Sequence, residues 1–193
     1  MRRFSSAVFI ALVAASILAI GGVGIALALE NHDPFCASCH TEPETTYVRR
    51  ASQARATDLA AYHAHKTTHC IDCHSGAGTF GRAHGLQQGA KDLMSFVRGT
   101  YRQPAITMNP LGDEACVKCH IKIYERPPGA GKAGLNHYHF YLPQWNALDT
   151  SAPRCIACHA PHITGIEGLK FMQQGKVGKL CEDCHDALSG VVR

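Results

Sequence analysis

Aromatic residues make up only 7% of this 193-residue chain, with a single tryptophan, and charged residues only 18%. So small a stock of large rings leaves little for a conventional core. The length suits one small domain plus an appendage, not a large catalytic fold. Lys and Arg outnumber Asp and Glu by 19 to 15, a net of +4, and no run of basic residues is present. The electrostatic footprint of a nucleic-acid binder is therefore missing, and no nucleic-acid partner is expected. What the chain over-uses is Cys (10) and His (13), so something that binds these side chains must organise it.

Charge is also absent from one long stretch. Residues Ala7 to Leu29 read AVFIALVAASILAIGGVGIALAL, which as a helix would span about 35 Å and clear a bilayer core. A cleaved signal peptide is the rival reading, with Arg2 and Arg3 as its positive end and Ala26-Leu27-Ala28 imitating a cleavage site. An apolar signal core is usually shorter, roughly 7 to 15 residues, so a retained anchor over 1–30 is expected. Arg2 and Arg3 lie on one flank and no Lys or Arg occurs from Glu30 to Val48 on the other. The positive-inside rule then places residues 31–193 outside the cytoplasm. Ala11, Ala15, Ala19, Gly22 and Ala26 recur near helical spacing, which suits either close approach of another membrane helix or plain lipid contact.

No cysteine is left over from a single repeated pattern. The ten fall into five Cys-x-x-Cys pairs, each followed at once by histidine: Cys36, Cys39 and His40; Cys70, Cys73 and His74; Cys116, Cys119 and His120; Cys155, Cys158 and His159; Cys181, Cys184 and His185. Five such coincidences have odds on the order of one in a million by chance. Two thiols at this spacing can add to the two vinyl groups of one haem, and the adjacent imidazole then ligates the iron. Zinc sites use Cys-x-x-Cys units two at a time, and five is odd. Disulfides and thioredoxin-like pairs impose no following histidine. Five covalently attached c-type haems are expected. The motif spacings of 34, 46, 39 and 26 residues are too uneven for a solenoid.

Eight histidines remain for the opposite faces of the irons: His32, His63, His65, His69, His84, His137, His139 and His162. A supply larger than the demand points to bis-histidine iron, which gains or loses no ligand when it changes oxidation state. His162 follows Pro161, which throws its imidazole away from its own motif. His137 and His139 lie two apart, sharing a face if extended and diverging if helical. His65 and His69 would share a face of one helix, with His63 pointing elsewhere. His84 sits in a Gly-rich stretch from Gly76 to Gly85, and His32 lies four residues before Cys36. Met94, Met108 and Met172 are rival thioether ligands, Met94 being better suited to packing on a helix over 86–102.

The expected fold is mainly α with little regular structure: one N-terminal transmembrane helix and a multihaem cytochrome c domain whose core is largely porphyrin. A helix is expected over 45–66, a possible seam at 103–112 between two prolines, and a flexible loop over 126–134.

One apolar N-terminal helix followed by closely spaced Cys-x-x-Cys-His motifs resembles the NapC/NirT family of membrane-anchored multihaem cytochromes. The likeness is clearest from Phe35 to His74 and from His120 to His159. That resemblance implies a self-sufficient quinol dehydrogenase feeding a periplasmic reductase. The family typically has four haems, however, and this chain lacks the methionine that some members place shortly after the first motif. Five motifs, one anchor and this length look more like the pentahaem subunit of alternative complex III. That resemblance implies electron relay, without catalysis by this chain, within a quinol-oxidising respiratory or photosynthetic complex of the cytoplasmic membrane. Its expected partners are iron-sulfur and polytopic membrane subunits and a monohaem or other soluble acceptor. A pentahaem nitrite reductase fits poorly, because such enzymes are far longer and typically carry a Cys-x-x-Cys-Lys site.

Overall fold

The computed structural model describes residues 6–39, 42–106, 110–125, 137–149 and 152–189. Helix α1 (Ser6–Leu29) is long and apolar enough to cross a membrane, and no residue of it is buried. Its length and composition suit a membrane anchor or a signal sequence. Arg2 and Arg3 lie outside the described residues.

Short helices follow: α2 (Asp33–Cys39), α3 (Glu44–Ala51), α4 (Leu59–Ala64), α5 (Cys70–His74), α6 (Gly78–Val97), α7 (Glu114–Val117), α8 (His137–Leu148), α9 (Cys155–Cys158) and α10 (Gln174–Leu188). Single 3-10 turns stand at Ile121–Tyr124 and Glu167–Leu169, and no strand occurs among the described residues. The cysteine pairs lie in or at the edge of helical turns, where i,i+3 spacing puts both thiols on one face.

Two helices differ from the sequence expectation. The segment 45–66 is broken, because Asp58 adopts an extended conformation and its side chain accepts from the Ala61 N–H at 2.8 Å, opening a new helix. Helix α4 ends at Ala64 and Thr67 takes a positive φ of 62°. His65 and His69 therefore flank a turn and do not share a helical face. Helix α6 starts at Gly78 and stops at Val97, earlier at both ends than expected. Its glycines serve packing: a Cβ on Gly85 would come within 3.1 Å of the Ser75 carbonyl oxygen. Met94 stays 49% exposed on this helix instead of entering a core.

Among the described residues, the buried apolar side chains other than Ala115 form two small clusters. Ala56, Ala61 and Phe171 gather with Leu59 and Tyr62. Leu142, Trp145, Ala152 and Leu188 gather with Tyr124, Tyr141, Leu180 and Cys184. Clusters this small do not offset the conformational entropy of ordering such a chain, and the expectation of a core completed by cofactor rests on that shortfall.

Loop 160–171 docks on α4 and on the residues just before it. The Ala60 N–H donates to the Pro161 carbonyl at 2.9 Å and the Gly165 N–H to the Thr57 carbonyl at 2.9 Å. Across the expected seam, the Ala105 N–H donates to the Glu42 carbonyl at 2.8 Å, while residues 107–109 lie outside the described set.

Candidate cofactor sites

Four of the five motif histidines are described, and each faces a second imidazole from another part of the chain. His74 and His162 lie with ring centroids 6.1 Å apart and planes 16° from parallel. His159 and His139 are separated by 6.3 Å at 13°. His120 and His63 stand 6.0 Å apart at 76°, and His185 and His137 6.1 Å apart at 70°. A metal held between two imidazole nitrogens at about 2 Å from each would put the ring centres about 6 Å apart. All four separations fit one iron between two rings.

The other ring nitrogens support the same orientation. His63 Nδ1 lies 3.0 Å from the Leu59 carbonyl, and His159 Nδ1 lies 3.0 Å from the Lys170 carbonyl. A carbonyl only accepts, so Nδ1 carries the proton in both rings and Nε2 is free to ligate. Such outer hydrogen bonds orient metal-binding histidines. Burial pulls the His74 pKa down. Burial, with a second imidazole nearby, takes His139 and His162 down to about 4. All three rings are therefore neutral at pH 7, the form that binds a metal.

His162 is held from several sides. Tyr47 of α3 stacks on it at 4.0 Å and 11°. Arg50 Nη1 donates to the His162 carbonyl at 2.9 Å and pairs with Asp58 Oδ2 at 3.2 Å, and Asp58 is itself buried. His137 and His139 belong to α8, where two residues turn the chain by about 200°, so the pair diverges and serves two different motif histidines.

The remaining predicted ligands lie elsewhere. His65 caps the end of α4 and is exposed, and His84 is exposed on α6. His69 caps the start of α5, with its Nδ1 3.5 Å from Asp33 Oδ1. His32 is exposed just before α2. None of the four stacks on His74, His120, His159 or His185. His40 and Met108 lie outside the described residues, as does the loop 126–134.

The thiols line up in chain order. None of the ten is in a disulfide. Cys36 lies close enough to Cys70, and Cys116 to Cys155, for their thiols to interact. Cys73 lies close enough to Cys116 and Cys119, and Cys158 to Cys181, for their charges to interact. Lys118 Nζ donates to the Asp72 carbonyl, joining the second motif to the third. Each motif thus neighbours the next one along the chain.

Sequence reasoning missed Tyr47, Arg50 and Asp58, which position His162, and the pair Asp33 and Asp113. A signal for the last two was available: both stand three residues before the first cysteine of a motif. Asp58, ahead of Leu-Ala-Ala, had the signature of a helix cap.

Residues 150–190, which hold the fourth and fifth motifs, match the family described as the doubled CXXCH motif. Comparison with curated proteins and with solved structures found no match. The doubled motif indicates a multihaem c-type cytochrome with covalently bound haem, and it points to electron transfer.

Proposed function

We propose that this chain is a membrane-anchored pentahaem c-type cytochrome. In this reading it relays electrons within a quinol-oxidising complex of the cytoplasmic membrane, from an iron-sulfur subunit to a monohaem or other soluble periplasmic acceptor. The observation that carries the reading is the set of four imidazole pairs at 6.0 to 6.3 Å. When bound, haem supplies a one-electron iron centre, and closing both of its faces favours electron transfer over substrate binding.

The chain's own residues do the rest. Each thiol pair would tether one haem, and the imidazoles of His74 and His162, His120 and His63, His159 and His139, and His185 and His137 would hold the irons of four of them in pairs. His139 and His162 are half-buried, which limits the access of water to their rings. Contacts between successive motifs give a route in chain order, and α1 would hold its first member next to the membrane.

The test is the mass of the mature, denatured protein together with its partners. Five haems on the polypeptide, with iron-sulfur and polytopic subunits co-purifying in mild detergent, are expected. A different haem number, or a protein that purifies alone as a monomer, overturns the reading.

A further inference from the structure

The Asp33 and Asp113 carboxylates occupy equivalent places in two otherwise separate parts of the fold. Asp33 Oδ1 accepts the Cys70 N–H at 2.9 Å, and Asp113 Oδ1 accepts the Cys155 N–H at 2.7 Å. Each aspartate stands three residues before the first cysteine of the earlier motif, and each takes the first-cysteine amide of the following one. That amide opens a helical turn, α5 in one case and α9 in the other, and so has no partner within its own helix. In both places the first cysteines of the two motifs also lie near enough for their thiols to interact, Cys36 with Cys70 and Cys116 with Cys155. With haem attached these sulfurs would be thioethers, and their proximity would bring the tethered edges of two haems together.

The other junctions lack this device. Between the second and third motifs the tie is Lys118 to the Asp72 carbonyl, from a flexible side chain. The fifth motif lies inside α10, where the Cys181 amide is taken up by the helix, and Ala152, with no acceptor side chain, stands at the position corresponding to Asp33 and Asp113.

We infer that Asp33 and Asp113 are positioning residues that latch the five attachment sites into two tight pairs, first with second and third with fourth, leaving the fifth outside. The inference rests on the haem reading above and adds a grouping to it. The Asp33→Ala and Asp113→Ala proteins, made as full-length membrane preparations, are compared with wild type by Soret-region circular dichroism, which reads the excitonic coupling of neighbouring haems. Mass of the denatured protein and haem-peptide mapping are recorded in parallel. Each alanine variant is expected to keep five haems and lose part of the exciton couplet. Asn, which retains an acceptor oxygen, restores it, and Glu167→Ala, at an exposed position outside the motifs, leaves it unchanged.

If an alanine variant attaches fewer haems, a deficit confined to the first and second sites for Asp33, or to the third and fourth for Asp113, also supports the latch. An unchanged couplet in a five-haem alanine variant overturns it, as does haem loss spread evenly over all sites. The haem reading itself fails separately, through the mass of the wild-type protein.

Discussion

The Arg50 guanidinium donates to the backbone carbonyl of His162 at 2.9 Å, linking two segments 112 residues apart. The same nitrogen pairs with the Asp58 carboxylate, which is only 1% exposed and also caps α4. One cation thus ties a helix start, a buried anion and the loop carrying an imidazole. Removing it leaves the Asp58 charge buried and unpaired, a cost of about 3 kcal/mol. Arg50→Ala is expected to lower the thermal midpoint and to release His162 from its place opposite His74, read as a new high-spin iron signal. Arg50→Lys should recover only part of this, because one ammonium cannot match the fork geometry of guanidinium.

The ring planes divide the four sites into two classes. His74 with His162 and His159 with His139 are near parallel, at 16° and 13°, whereas His120 with His63 and His185 with His137 are crossed at 76° and 70°. Parallel imidazole planes lift the degeneracy of the iron orbitals that mix with them, and crossed planes leave it nearly intact. From these four sites, low-temperature EPR of the oxidised haem-loaded protein is expected to show two rhombic low-spin signals and two with a large, strongly anisotropic g value. Rhombic signals alone would contradict the crossed pairs.

Removing a distal ring should open one site and leave the tether. His63→Ala is expected to keep the full haem mass, because Cys116 and Cys119 are untouched, and to produce one iron that binds carbon monoxide or cyanide. Exposed His84 serves as the comparison, and His84→Ala should leave the third site closed. Titration with exogenous ligand counts the open irons.

How much of this was legible in the sequence divides along the length scale of each contact. The thiol pairs and their adjacent imidazoles are local, and spacing alone exposes them. Pro161 directs attention to His162 as a ring turned away from its own motif, and the structure sets that ring beside His74. The partner of His162 could not be read, because the approach of His74 depends on the docking of loop 160–171 on α4 through backbone hydrogen bonds that have no sequence signature. The helix break before Asp58 was locally encoded and overlooked, as were the two aspartates ahead of Cys36 and Cys116. Helix α6 begins earlier than expected because its glycines permit close backbone approach, in a stretch that the sequence marks only as Gly-rich.

Gly76 is the clearest example of that approach. Its φ is +76°, and a Cβ there would lie 2.5 Å from the Gly81 carbonyl oxygen, a backbone atom that cannot swing aside. Gly76→Ala is expected to destabilise the turn between α5 and α6 by about 1 to 3 kcal/mol. The measurement is a denaturation curve followed at the Soret band. Gly89→Ala, whose Cβ meets nothing within 4 Å, should be neutral or slightly stabilising.

The N-terminal helix gives a simple alternative between two outcomes. A retained anchor predicts that the mature protein includes Ala7 to Leu29 and stays with the membrane in high salt. Processing after Ala28 would instead give a shorter mass and a chain that salt or carbonate releases. Intact-protein mass and N-terminal sequencing separate the two.

The cross-chain ring pairs also set a timetable for biogenesis. A polypeptide threaded outward from its N-terminus presents Cys70, Cys73 and His74 long before His162 emerges, and His63 before the centre it faces. In the proposed reading the second centre therefore stays lopsided until the tail arrives, while the ring for the third waits in advance. Truncation near the C-terminus would accordingly damage a centre close to the bilayer, far from the cut in sequence.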